Sequence, residues 1–300
     1  MGSDPIKGNE SLPQKNCPIF NPCDTINRRW GKIELEKDMK NKKQLIKSLV
    51  VCVLWLIPFF AVGILCDRIE NDILANLCKS LLRLVESVGI MLYIKHEYGM
   101  KLGIRKENLF KGIFWYGIVI FIFCLVMPFL SYEAPEIAFS EALPILLFYL
   151  VVYMIVGLFE EILCRGLLFN SFKAYWGDNK KGVYLSAFLS SLLFGCLHFF
   201  NLNGSNTIST ITQVIYATFF GMLFATIYYR SGNLLSCIIL HGLVDFAGSI
   251  WTCFKANRME AIIIDNTTDS SIGQALIILI MTFPFAISSL VQLRKTFKQG

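Results

Sequence analysis

Three hundred residues with 55% hydrophobic and 14% aromatic content, 17% charged residues and a mean hydropathy of +0.55 do not suit a soluble domain, which carries roughly a quarter charged residues. The composition excludes a disordered chain, a collagen-like fibre and a typical cytosolic enzyme, and indicates a polytopic membrane protein. The net charge of +6 reads as a topology signal rather than a nucleic-acid footprint, because ten of the cations lie in residues 1–47.

Residues 1–44 are polar, contain Pro5, Pro13, Pro18 and Pro22, and end near the basic residues Lys40, Lys42 and Lys43. They hold no apolar core for a signal peptidase, so the first apolar run is expected to be a retained anchor. Runs long enough to cross a bilayer follow near 45–65, 73–94, 112–130, 142–169, 183–200, 207–229, 233–253 and 272–293. They predict an all-α transmembrane bundle of about eight helices. The chain then divides into a cytoplasmic tail (1–44), three first transmembrane helices (45–130), a core (131–255), and an outer loop, last helix and basic tail (256–300).

Lysine and arginine test that division independently. With a cytoplasmic N-terminus, the inside segments hold ten in 1–47, five in 95–111, three in 170–182, Arg230, and three in 294–300. The outside segments hold only Arg68, Lys255 and Arg258, while Lys79, Arg83 and Arg165 fall within spans. Such an asymmetry over short loops predicts that both termini face the cytoplasm. Of the ten cysteines, Cys52, Cys78, Cys124, Cys164, Cys196 and Cys237 lie in apolar runs, where a free thiol acts as a small hydrophobe. Only Cys17 and Cys23 sit in a polar stretch, and no CxxC pair is present.

A charge in hydrocarbon costs at least ~2.5–3.5 kcal/mol at a helix centre, so intramembrane ionisable residues mark function. The second span carries Lys79, Arg83 and Glu86 at helical spacing, expected to form one polar stripe whose members pair with each other or with loop carboxylates. In the fourth, Glu161 and Arg165 stand at i and i+4 and share a face, which leaves Glu160 to point elsewhere as a base for water. Phe194 and His198 lie one turn apart in the fifth. His241 and Asp245 repeat the i, i+4 spacing in the seventh, where a carboxylate that reaches a histidine fixes its tautomer. Taken singly, each pattern also has a structural reading: an ion-pair cluster for Glu160, Glu161 and Arg165, an interfacial or hydrogen-bonded histidine for His198, and a helix-packing pair for His241 and Asp245. Helical rise puts Glu160 ~15 Å and His241 ~12 Å from the cytoplasmic ends of their spans, but His198 deeper, at ~22 Å.

EExxxR, FxxxH and HxxxD in this order, on separate apolar helices, resemble the CPBP or Abi group of intramembrane endopeptidases, which includes the type II CAAX prenyl endopeptidases and their bacterial relatives. The resemblance covers about residues 140–250 and the short Leu102-Gly103-Ile104 turn. It implies that Glu160 and His198 activate the attacking water, that His241 with Asp245 forms the oxyanion site, and that Arg165 holds Glu161, with Phe194 in support. The CAAX enzymes usually carry Asn where this chain has Asp245. A carboxylate is a poor oxyanion donor unless protonated, so Asp245 is expected to orient His241 instead, which puts prenylated substrates in doubt.

Glu160, His198 and His241 would also serve as a zinc set, since two histidines and a glutamate are a known catalytic combination. The HExxH helix of zinc proteases is absent, and a metal-free glutamate mechanism without a cofactor is favoured. A peptide or membrane-protein substrate and the lipid bilayer are the expected partners, and nucleic acid is not. Two other functions stay open, a non-catalytic immunity or regulatory protein of the same group and a proton-coupled transporter. Richness in Asn, Lys and Ile points to a bacterial plasma membrane, the endoplasmic reticulum being the alternative.

Overall fold

The computed structural model describes residues 22–202, 206–258 and 269–298, with side chains from residue 41 onward. Cys17 and Cys23, and most of the predicted tail, lie outside the described side chains. The chain divides into two compact units, Met1–Lys40 and Asn41–Gly300. Nine helices and no strand occur among the described residues: α1 (Pro22–Cys66), α2 (Asp72–Tyr98), α3 (Leu109–Tyr116), α4 (Ile118–Leu130), α5 (Phe139–Trp176), α6 (Lys180–Asn201), α7 (Thr207–Ser231), α8 (Leu234–Phe254) and α9 (Ile272–Thr296).

Asparagine and serine set the starts of four of these helices by accepting backbone N–H groups that the first turn leaves unpaired. Asn71 accepts from Leu74, Asn179 from Gly182 and Asn233 from Ser236, while Ser271 and Gln274 form a reciprocal capping box. The ends of α2 and α7 are closed by Gly99 and Gly232, both with φ near +62°, the left-handed conformation that ends helices.

Six helices are long and apolar enough to cross a membrane, or seven if α3 and α4 count as one span bent by 70°. The predicted eight differ at two places. The span expected over 112–130 is broken at Gly117, where a Cβ would lie 2.4 Å from Leu240, so the chain turns there to let α8 pass. The span expected over 73–94 is helical, but α2 carries too many charged residues to count by composition. Its arrangement is nevertheless inverted relative to a water-soluble helix. Leu77, Leu81, Val85, Val88 and Leu92 are exposed, whereas Ser80, Glu86 and Ser87 are buried together with Ile90 and Ile94. An apolar outer face with the polar groups turned inward is the pattern a lipid surface selects. The fourth span is longer than the predicted 142–169, and includes a π-helical stretch, Ile162–Phe169.

Hydrogen bonds tie the helix ends into two sets. At one end the Gly103 carbonyl accepts from Leu234 N, Asn233 Nδ2 donates to the carbonyls of Arg105 and Glu107, and Tyr229 donates to Asp178. At the other, Arg258 and Tyr149 donate to Asp72, Trp251 donates to the Pro128 carbonyl, and Asp269 accepts from Ile208 N and Ser209 N. Lys101, Arg105, Lys173, Lys180, Lys181, Arg230 and Arg294 lie at the first end, hereafter the basic end. The second, hereafter the acidic end, bears Asp67, Glu70, Asp72, Glu133, Glu136 and Asp269, with Arg68, Lys255 and Arg258 among them. Between them α5, α7 and α8 form the core, with Phe159, Leu163, Phe224, Leu234 and Leu240 at most 1% exposed.

Candidate active site

Glycines set how closely the helices that carry the ionisable residues approach. A Cβ on Gly157 would lie 2.8 Å from the Ile238 carbonyl oxygen and 3.3 Å from His241 Cβ, and one on Gly242 would lie 2.9 Å from the Tyr153 carbonyl oxygen. Small residues at such a crossing let backbones come together. As a result Glu160 and Glu161, one turn beyond Gly157, reach His241.

The wide turn that begins at Ile162 follows immediately. A π-helical stretch leaves backbone carbonyls unpaired by the regular ladder and often marks a functional site. Here Asn170 Nδ2 donates to the carbonyls of Arg165 and Gly166 and to the Tyr228 hydroxyl, satisfying them from the side. The stretch presents Arg165 into the core, fully buried.

Arg165 Nη1 donates to Glu161 Oε1 at 2.8 Å, and both side chains have no exposed surface. The same Glu161 oxygen lies 2.7 Å from His241 Nδ1. Held by Arg165, Glu161 is a carboxylate and can only accept, so the proton sits on His241 Nδ1. That leaves Nε2 facing the remaining carboxylates, with Glu160 Oε2 at 3.3 Å and Asp245 Oδ2 at 3.7 Å. Aromatic rings complete the enclosure. Phe224 stacks on His241, with centroids 5.2 Å apart and planes 9° apart, and the Arg165 guanidinium lies over Phe194 and Phe224 at 5.0 and 5.2 Å. Phe194 meets the rings of both His198 and His241 edge-on.

A cavity of about 330 Å³ opens over this floor, and Glu160, His198, His241 and Asp245 all line it. So does Arg83, the one Lys or Arg in its lining among the described residues. The four residues singled out for chemistry therefore share one chamber. His198, too deep on helical rise, nevertheless lines the same cavity as Glu160 and His241.

Two details differ from the sequence expectation. Glu160 does not point away from Glu161 toward another partner, since the two carboxylates meet opposite nitrogens of one imidazole. The carboxylate that fixes the orientation of His241 is Glu161, across the helix crossing, while Asp245 stands 3.7 Å from the other nitrogen. The stripe on α2 also divides. Lys79 pairs with Asp67 at 2.6 Å, but Arg83 Nε and both Glu86 carboxylate oxygens are buried without a hydrogen-bond partner among the described residues. Sequence reasoning missed Phe224, one of many phenylalanines on an apolar helix, and Gly157 and Gly242, whose role depends on a crossing that no local pattern encodes.

The zinc set fits poorly. His241 turns both ring nitrogens to carboxylates, and among the described residues no three His, Cys, Asp or Glu groups are gathered to hold a metal ion. The eight described cysteines are free thiols.

Residues 142–247 match the family model described as type II CAAX prenyl endopeptidase Rce1-like. That range runs from the first turn of α5 to the last regular turns of α8 and contains every residue of the chamber floor. No curated protein and no solved structure matches the chain.

Proposed function

With residues 142–247 matching the type II CAAX prenyl endopeptidase Rce1-like family model, we propose that this multi-pass membrane protein hydrolyses a peptide bond inside the bilayer through a water activated by Glu160 and His198. The observation that carries the reading is the shared chamber of Glu160, His198, His241 and Asp245 above a sealed Glu161–Arg165 pair.

Hydrolysis of an amide needs a base for the water, donors for the developing oxyanion and a proton for the leaving nitrogen. Glu160, half-buried and oriented by His241 Nε2, takes one proton as the water oxygen bonds to the carbonyl carbon. The electron pair of the C=O bond moves to oxygen, and the resulting oxyanion is met by N–H donors. In this reading His241 carries a second proton on Nε2 as the imidazolium, and once Glu160 is protonated and accepts less well, that Nε2–H is released toward the oxyanion. Collapse of the intermediate breaks the C–N bond, and Glu160 returns its proton to the leaving amine. Glu161 and Arg165 keep the imidazole in register throughout without touching substrate. His198, at the open side of the chamber, holds the water against Glu160. The donor sets for both steps come from side chains, and none of them requires a metal ion.

The topology in this reading has eight crossings and both termini in the cytoplasm, α2 and the bent α3–α4 pair each counting as one. It is supported by the alternation of tied ends along the chain and by the inverted surface of α2. The basic end then faces the cytoplasm, in accord with the positive-inside rule.

The test compares peptide termini of membrane proteins from cells expressing the wild type or Glu160→Gln at equal levels. New termini should appear with the wild type and vanish with the variant, because loss of a general base costs roughly 10²–10⁴-fold. Identical termini in both, with folded variant present in the membrane, would reject the mechanism in favour of a binding role.

A further inference from the structure

The chamber is packed differently toward the two ends of the bundle. His241 lies seven residues from Leu234, and Phe224 seven from Ser231, so both are ~10 Å from the basic end. The side chains on that side are tightly packed. Glu161, Arg165, Leu167, Leu234 and Cys237 beneath the floor are all 0% exposed. The turn around Gly103 seals them further. A Cβ there would lie 2.0 Å from the Gly232 carbonyl oxygen, φ is +68°, and Asn233 holds the following carbonyls of Arg105 and Glu107 at 2.7 Å.

Toward the acidic end the lining changes. Asn201, in the last turn of α6, donates to Gln213 Oε1 at 3.0 Å across the rim of the chamber, and both are at the surface side of it. A second cavity of about 230 Å³ shares Phe59, Phe60, Arg83 and Asn201 with the chamber and reaches Asp67 and Lys79 near the end of α1. Phe200, 66% exposed, closes over Phe60 with ring centroids 4.0 Å apart. Polar groups thus continue from Glu160 through Arg83 and Asn201 to Asp67 along an otherwise apolar wall. Arg83, part-buried with its Nε buried and unpaired, lines both cavities.

We propose that substrate enters this chamber from the acid-bearing end, which the distribution of cations places outside the cytoplasm, and that the substrates are polypeptide segments exposed on the extracytoplasmic side of the membrane. The substrate clause rests on the endopeptidase reading above; the direction of access does not. A site reached from outside would not meet a lipid-modified C-terminus delivered from the cytosol. It suits exported peptides, or membrane proteins whose outer juxtamembrane segment reaches past Phe60 and Phe200 to Glu160.

Cysteine labelling of the full chain in intact bacteria reads the direction of access. Asn201→Cys and Phe200→Cys should react with a membrane-impermeant maleimide above the wild-type background, and Lys181→Cys at the basic end should react only after permeabilisation. If both rim variants react only after permeabilisation, or remain unreactive in either state while present in the membrane, the proposal is overturned. The sides of the Glu160-dependent termini give the second arm. Termini on extracytoplasmic segments support the substrate class, and termini on cytosolic segments reject it. Absence of any Glu160-dependent terminus would remove the endopeptidase reading and its substrates together, while the labelling would still decide which end is open.

Discussion

Two three-membered ion-pair clusters sit in opposite settings. At the floor of the chamber, Arg165 and His241 surround Glu161 with no solvent exposure on the Glu161–Arg165 pair. At the acidic end, Lys255 lies 2.8 Å from Glu133 and 3.2 Å from Glu136, whose carboxylates are about half exposed. The same charges do different work because the surroundings differ. In the core, each charge depends on its partner to offset a large desolvation cost, so the pair fixes geometry. In water the attraction is weak, and backbone bonds such as Glu136 N to the Phe254 carbonyl hold the loop.

The sharpest way to break that contrast is Arg165→Met, which strands Glu161 in the core. It should destabilise the protein by about 3–5 kcal/mol, seen as a large fall in melting midpoint in detergent, with Arg165→Lys in between because a point charge cannot reproduce the guanidinium geometry. An unchanged midpoint would show that the floor is not a tightly coupled unit.

Gly157→Leu should leave the charges intact but push α5 from α8 and separate Glu160 and Glu161 from His241. A displacement of about 1 Å is expected to cost roughly 10²-fold in cleavage, measured on the substrate identified from the termini, with membrane insertion preserved. Full activity would mean that the close crossing does not position the site.

A finer distinction lies within the floor. Glu161→Gln removes the acceptor 2.7 Å from His241 Nδ1, whereas Asp245→Asn alters a contact of 3.7 Å and keeps the shape. The first should cost more turnover than the second; the reverse order would return the orienting role to Asp245.

Lys255→Ala should have the smallest effect, a change in melting midpoint within measurement scatter. The Ala256 N–H and the Lys255 ammonium hold the Glu136 carboxyl below its usual range, and the carboxylates of Glu133 and Glu136 raise Lys255. Glu136 therefore favours the folded loop at neutral pH, and that contribution disappears as pH falls through its lowered pKa. The contribution of Lys255 is full below its ordinary pKa and is lost only as pH rises through the raised value. Limited proteolysis of the loops that carry Glu136 and Lys255 should consequently speed up at strongly acidic and strongly alkaline pH and be flat between. Acceleration near neutrality would point to another titrating group.

Much of the fold was legible in the chain, for a physical reason. A bilayer demands about 20 apolar residues per crossing, so the length of the apolar runs located most helices within a few residues. The exceptions were local compromises. Gly117 bends the third crossing to admit Leu240, α2 carries charges that the bundle buries, and the π-helical stretch lengthens α5. None of these leaves a mark in a hydropathy window.

The site divides in the same way. Spacing alone put Glu161 with Arg165 and His241 with Asp245, because i and i+4 share a helix face whatever the rest of the chain does. It did not reveal that Glu160 and Glu161 clasp one imidazole from both sides, that Phe224 stacks beneath it, or that Arg83 from a distant helix joins the chamber. Those contacts depend on how closely α5 and α8 cross, which Gly157 and Gly242 decide only once they face each other. The sequence by itself determined where the membrane helices run and which ionisable residues they bury, since both follow from transfer between water and lipid, a property of each segment alone. Which carboxylate meets which nitrogen, and from which end the chamber opens, was decided by tertiary packing, because distances between segments far apart in the chain have no local signature.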